Sequence, residues 1–320
     1  MNLITSPWLR LVLVAVLFIG WYFVFPQYLS IGITLMLLAG WATAWDLLGG
    51  WTGQSSLGHA AFVGLGAYTI AVMSSNYGTP SWGALLIAMG LSAALAFIWG
   101  RITFGLRGAY FTLSTIAIAE ILRLVAINER QLTGGAVGIF IFSMDEPFGL
   151  DLFSRQVEFH VSLVYLLIVL AVVILVTRGR FGYQMRAVRE DENSAMAAGI
   201  SPTSVKVRAF MLSAALTAAG GVIYGLFLSA LQPQPMFELP LSVRIALVAI
   251  IGGRGTIFGP LIGAILVTLA SELFRNIFAD ANLLIYGALI VFVIIFMPRG
   301  IMGEIHRRAI RRRYASSTGS

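Results

Sequence analysis

The sequence predicts an all-α protein: a polytopic membrane helix bundle of about ten transmembrane helices, some short or broken, with both termini cytoplasmic. Three observations carry this. Of the 320 residues, 58% are hydrophobic and only 11% charged, whereas soluble domains have about 45–50% apolar and roughly 25% charged residues. Apolar runs recur along nearly the whole chain, so one bundle accounts for the length better than two soluble domains. The basic residues gather in short segments between those runs, which explains the net charge of +7 by membrane topology and leaves no call for nucleic acid.

A spanning helix needs about 20 mostly apolar residues. Runs suited to this lie at 9–25, 28–48, 57–75, 82–100, 109–127, 161–177, 208–231, 241–253, 257–275 and 283–297. The first resembles a signal peptide, with Arg10 at its start. No small-residue cleavage site follows, because FPQYLS leads straight into the next run, so an uncleaved span is expected. The run 57–75 is rich in Gly and Ser, and 241–253 is short and contains Arg244. A cytoplasmic amino terminus places sixteen of the 21 basic residues, from Arg10 to Arg313, on the cytoplasmic side and leaves Arg130 and Arg155 in outer loops. Arg123, Arg244 and Arg275 fall within spans or at their outer ends.

The organisation that follows is a transmembrane domain over 1–297, with an outer loop at 128–160, a cytoplasmic loop at 178–208, and a basic cytoplasmic tail at 298–320. The tail reads as a positive-inside stop, with anionic lipid as a lesser alternative partner.

Several chemistries are excluded. There is no cysteine, so disulfide and thiolate chemistry are absent. No G-x-x-x-x-G-K-[ST] loop occurs, and the only lysine, Lys206, follows SPTSV. His59, His160 and His306 lie in different regions without metal-ligand spacing, and no nucleophile sits with a base.

The unusual stretch is GGWTGQSSLGHAAFVGLGAY, Gly49 to Tyr68. Its alanines and later glycines suit a thin helix in a crowded bundle. GGWTGQSS does not, because clustered glycine with Gln and Ser lowers helix propensity and frees backbone groups. Irregular backbone at membrane depth is tolerated only inside protein or beside a watery cavity. A broken or short helix is therefore expected here, with Gln54, Ser55 and His59 at its irregular start as candidates for a substrate path or inner gate.

In YFTLSTIAIAEILRLV, Thr115 and Glu120 are further path candidates; Glu120 and Arg123 share a helix face, as a self-neutralising pair or as part of a gate. In the inner loop, REDEN followed by SAMAAGISP suggests an acidic helix start, a small-residue helix, and a stop at Gly199 and Pro202. GTIFGPLIG sets Gly255, Gly259 and Gly263 at small-xxx-small spacing, a close-packing pattern.

Taken in order, GGWTGQSSLGHAAFVGLGAY, LRGAYFTLSTIAIAEILRLV, LTGGAVGI, GRFGYQMRAVREDENSAMAAGISPTSVKVRAF and IGGRGTIFGPLIGAI resemble the LivM-type permease subunits of branched-chain amino acid ABC importers, from about Leu38 to Gly300. That resemblance implies no catalytic site, metal or cofactor on this chain. It implies a LivH-like second permease, two cytoplasmic ABC ATPase subunits that use the ATP and Mg, and a periplasmic or lipid-anchored substrate-binding protein. Similarity to the family's coupling region places Glu190, Asp191, Glu192, Ala198 and Gly199 against an ATPase subunit, although AMAAGI departs from the fuller E-A-A-x-x-x-G pattern. Leucine, isoleucine and valine are the implied substrates, in a bacterial or archaeal cytoplasmic membrane. The alternatives are urea, short amides or other amino acids, and a proton-coupled secondary transporter using Glu120 and His59.

Overall fold

The computed structural model describes residues 6–105, 109–141 and 151–277. The expected span at 283–297 and the basic tail lie outside them. Thirteen α-helices run through the described residues, and seven helical segments among them are long and apolar enough to cross a membrane.

Helix α1 (Pro7–Val24) opens with proline at its first position, where no amide is missed, and stays peripheral with most side chains outward. Helix α2 (Leu29–Gly49) is the opposite case. It is apolar all round, as a fully enclosed helix must be, and nearly every residue is buried. Around it pack α7 (Arg155–Arg178), α10 (Pro202–Leu228), α12 (Leu239–Gly252) and α13 (Gly259–Ile277). Helix α10 also packs along α3 (His59–Tyr77) and α4 (Ser81–Thr103), while α5 (Ala109–Asn128) stands further out.

Small residues set these approaches. A Cβ on Gly66 of α3 would lie 2.2 Å from the Ala218 carbonyl oxygen, and one on Gly221 of α10 would lie 2.3 Å from that of Val63. The two backbones touch, which is why α3 is glycine- and alanine-rich although its composition is too mild to read as a span by hydropathy.

The helices run further into the polar stretches than the apolar runs suggest. Helix α7 begins at Arg155, so Arg155, Glu158 and His160 ride on helix, and α10 begins at Pro202, so Lys206 and Arg208 do too. Between them lie α8 (Arg180–Glu190) and α9 (Glu192–Ala197). After α5 come the single turn α6 (Arg130–Thr133) and strand β1 (Ile139–Phe140), which pairs antiparallel with β2 (Ala230–Leu231) beyond α10. A short α11 (Pro233–Phe237) leads into α12.

Candidate functional site

Helix α2 ends at Gly49, and α3 starts only at His59. The chain between them doubles back beside the helix it has left. The Gln54 amide donates to the Leu48 carbonyl (3.1 Å), the Ser56 carbonyl accepts from Trp45 Nε1 (2.7 Å), and His59 meets Ser213, whose hydroxyl donates to the Ala44 carbonyl (2.6 Å). Successive residues thus meet successively earlier positions of α2. At 1.5 Å per residue, α3 starts roughly 7 Å inside the end of α2.

Irregular backbone at that depth survives only if its polar groups find protein partners. They do. Thr112 Oγ1 donates to the Ser55 carbonyl (2.7 Å), the Leu57 amide donates to Thr115 Oγ1 (3.0 Å), the Gly58 amide to Ser56 Oγ (3.3 Å), and the Ala60 amide to Ser242 Oγ (2.8 Å). Gly58 is required by contact, since a Cβ there would lie 2.1 Å from the Thr115 carbonyl oxygen. Helix α5 thereby clamps the segment Gly50–Gly58, while α10 and α12, through Ser213 and Ser242, fix the start of α3 that follows it.

His59 closes the inner end. Its Nδ1 lies 3.0 Å from Ser56 Oγ and its Nε2 2.8 Å from Ser213 Oγ. Because Ser213 spends its proton on Ala44, the network assigns the hydrogen to Nε2, and Nδ1 accepts from Ser56.

At the Gly50 end of the segment sits a latch of charges. The Asp46 carboxylate, 1% exposed, accepts the Gly255 amide with both oxygens, at 3.0 and 2.9 Å. Arg189 of α8 donates through Nη1 to the Gly50 carbonyl (2.7 Å), and the Arg254 guanidinium lies 5.8 Å from the centre of the Trp45 ring. Gly255 takes φ +68°, a left-handed turn that suits glycine and aims its amide at Asp46. The helix-end region, the re-entrant segment and the α12–α13 turn therefore meet at one carboxylate and two guanidinium groups.

Beside the latch opens a polar cavity of about 570 Å³, walled by Gln54, Arg189, Glu190, Asp191, Glu192 and Lys206 among others. Lys206, itself buried, pairs with Glu192 at 2.6 Å. Asp191 is extended and caps α9 by accepting the Ser194 amide at 2.6 Å; that hydrogen bonding holds its carboxyl below the ordinary carboxylate range. Gly199 ends α9 at φ +77°, with the Ile200 amide returning to the Ala195 carbonyl (2.9 Å). The expected acidic start and glycine stop are both present, but Glu190 belongs to the end of α8, and Asp191 breaks the run in two. Pro202 opens α10 behind the Ser201 cap.

The other residues singled out in the sequence divide by environment. Gln54 and Ser55 are partly open, whereas His59 and Thr115 are fully buried and occupied by hydrogen bonds. Glu120 is half exposed and held by Arg123 Nε (2.8 Å), while Arg123 Nη1 also donates to Gln234 Oε1 of α11 (2.6 Å). Gly259 and Gly263 face α12, a Cβ on Gly263 falling 2.1 Å from the Val248 carbonyl oxygen; Gly255 serves the turn instead of the helix. Sequence reading missed Asp46 and Arg189. Asp46 had a usable signal, a lone acid inside an apolar run; Arg189 had none, since it is one of several arginines in a polar loop.

The described residues thus form a helical bundle with seven helices long and apolar enough to cross a membrane and one irregular segment clamped among them. The family described as branched-chain amino acid transport system / permease component matches residues 27–294, and the chain belongs to it. It is 30% identical over 277 residues to the high-affinity branched-chain amino acid transport system permease protein LivM of Salmonella typhimurium, covering 79% of this chain and 64% of that relative. With LivM of Escherichia coli K12 it shares 29% identity over 319 residues, 92% of this chain and 74% of the relative. The permease protein LivH of Salmonella typhimurium is 26% identical over 296 residues, 86% of this chain and 93% of LivH. Among solved structures, PsaBC from Streptococcus pneumoniae in complex with Fab matches 89% of this chain and 97% of its own at 15% identity and a TM-score of 0.46.

Proposed function

We propose that this chain is the membrane permease subunit of an ATP-driven importer in a bacterial or archaeal cytoplasmic membrane, forming half of the path for leucine, isoleucine and valine. The other half is a LivH-like permease. Two cytoplasmic ATPase subunits use the ATP and Mg, and a periplasmic or lipid-anchored binding protein delivers the solute. The family match supports the class, and similarity to both LivM and LivH fits a pair of related permeases sharing one path.

The observation that carries the mechanism is the link from α8 to the re-entrant segment. In this reading α8 and α9 seat on an ATPase subunit, and closure of the ATPase pair displaces α8. Arg189 then pulls on the Gly50 carbonyl, next to Asp46, whose carboxylate holds the α12–α13 turn through the Gly255 amide. One displacement reaches both the segment at the inner mouth and the turn beside it. The cavity walled by Gln54 and Glu190–Glu192 widens or closes with it.

The test is reconstitution with the two ATPases, the second permease and the binding protein in vesicles. Leucine uptake is expected to require ATP hydrolysis and to ignore an imposed proton gradient. Uptake by this chain without an ATPase, driven by protons and abolished by Glu120→Gln, would overturn the reading in favour of secondary transport. Preferential ATP-dependent uptake of urea or a short amide would keep the machinery and replace the substrate.

A further inference from the structure

Arg244 is a charge that the mechanism above does not use. It lies near the middle of the 20-residue apolar stretch Pro233–Gly252. Two residues before it, Ser242 accepts the Ala60 amide at 2.8 Å, which sets Arg244 close to the level of His59 and Ser213 along the bundle, where it is partly buried. Its Nε is closed off and has no hydrogen-bond partner. The ion pairs among the described residues are Glu120–Arg123, Arg155–Glu158 and Glu192–Lys206, and none includes it.

A guanidinium carries five donors and no acceptor, and at membrane depth it is costly unless something anionic meets it in the working cycle. Leu or Met would fill the same volume at no such cost. Lipid phosphates lie at the faces of a hydrocarbon layer about 30 Å thick, well away from mid-span. A solute passing through the protein does reach that depth. The guanidinium fork matches a carboxylate in two parallel hydrogen bonds. Near it is Tyr224 of α10, close enough to feel its charge; that ring meets Trp41 edge-on at 5.2 Å and stacks on Phe227 at 6.4 Å. A cation with an aromatic cluster nearby suits a small acid with an apolar side chain.

We propose that Arg244 is the carboxylate-binding residue of a mid-membrane solute site on this chain, taking the α-carboxylate of an amino acid with an apolar side chain. The proposal rests on the permease reading and adds where the solute is held.

The probes are leucine and leucinamide, which differ at the carboxylate, applied to the reconstituted transporter with Arg244→Met and Arg244→Lys. Loss of a charge-assisted bidentate contact is expected to raise the KM for leucine roughly 10- to 100-fold in Arg244→Met. Competition by leucinamide stays unchanged in that variant, and Arg244→Lys recovers part of the loss. An unchanged leucine KM in an intact Arg244→Met complex overturns the site. So does loss of the second permease on purification of Arg244→Met, because the residue then pairs with an acidic side chain of that subunit. If the wild-type complex moves no leucine, the transport reading fails separately. Thermal stabilisation of the solubilised complex by leucine but not leucinamide, absent in Arg244→Met, then supports the site, and no such difference overturns it.

Discussion

The segment Gly50–Gly58 and the region Arg180–Gly199 both break the apolar helical pattern, and they solve the break in opposite ways. In the first, amides and carbonyls without helical partners bond to Leu48, Trp45, Thr112, Thr115 and Ser56, and the residues from Ser56 inward are mostly buried. In the second, short helices lie largely open from Glu190 to Gly199, with only Ala195 buried between Asp191 and Gly199. The difference follows from the solvent. At membrane depth nothing but protein can satisfy a freed amide, so irregular chain must be clamped; outside it, water does that work and the surface stays available to another protein. Arg189 joins the two regimes, rooted in the open helix and bonded into the clamped segment.

The sharpest way to break this contrast is Gly58→Leu. Its Cβ would lie 2.1 Å from the Thr115 carbonyl oxygen, a backbone atom that cannot rotate aside. Destabilisation at or above the upper end of about 1–3 kcal/mol is expected, read as earlier thermal loss of the monodisperse peak in detergent. Gly199→Leu meets nothing within 4 Å and suffers only its left-handed φ of +77°. If both variants lost stability equally, the clamp would have no special status.

Asp46→Ala comes next. It removes both acceptors of the part-buried Gly255 amide, at a cost of about 1–3 kcal/mol by the usual penalty for a donor left unpaired. Arg189→Ala costs less, because Arg189 is itself exposed and its bond to the Gly50 carbonyl is only part-buried. Its functional effect is the informative one: basal ATP hydrolysis by the assembled transporter should persist while stimulation by loaded binding protein falls. Retained stimulation would detach the open helices from the segment.

Much of the architecture was legible in the sequence because a bilayer demands long apolar runs, and the runs from 9–25 to 257–275 each coincide with helix here. The irregularity of GGWTGQSS was legible for the same reason, since polar and glycine-rich chain is out of place between such runs. Its partners were not. Ser213 and Ser242 lie more than 150 positions away in sequence and look like small packing residues, so their hydrogen bonds to His59 and Ala60 depend on helix juxtaposition. The same holds for Gly255, whose spacing with Gly259 and Gly263 suggested a helix face while its φ and its bond to Asp46 make it part of a turn.

The smallest expected effect is also the most selective. Asp191 caps α9 through the Ser194 amide, and that bond keeps its carboxyl below its ordinary value. A group whose pKa is lower folded than unfolded stabilises the structure fully above its unfolded value of about 3.9, and loses that contribution as pH falls through the lower folded value. Amides of Ser194–Ala197 should therefore exchange faster, relative to their intrinsic rates, only as the pH drops below about 4. Asp191→Asn, which caps without titrating, should abolish the dependence and keep the helix. The amides of Leu57 and Ala60, bonded to the hydroxyls of Thr115 and Ser242, should not respond over the same interval. Loosening of both regions together would mean that acid acts on the latch between them instead of the cap, and that the open helices and the clamped segment unfold as one unit.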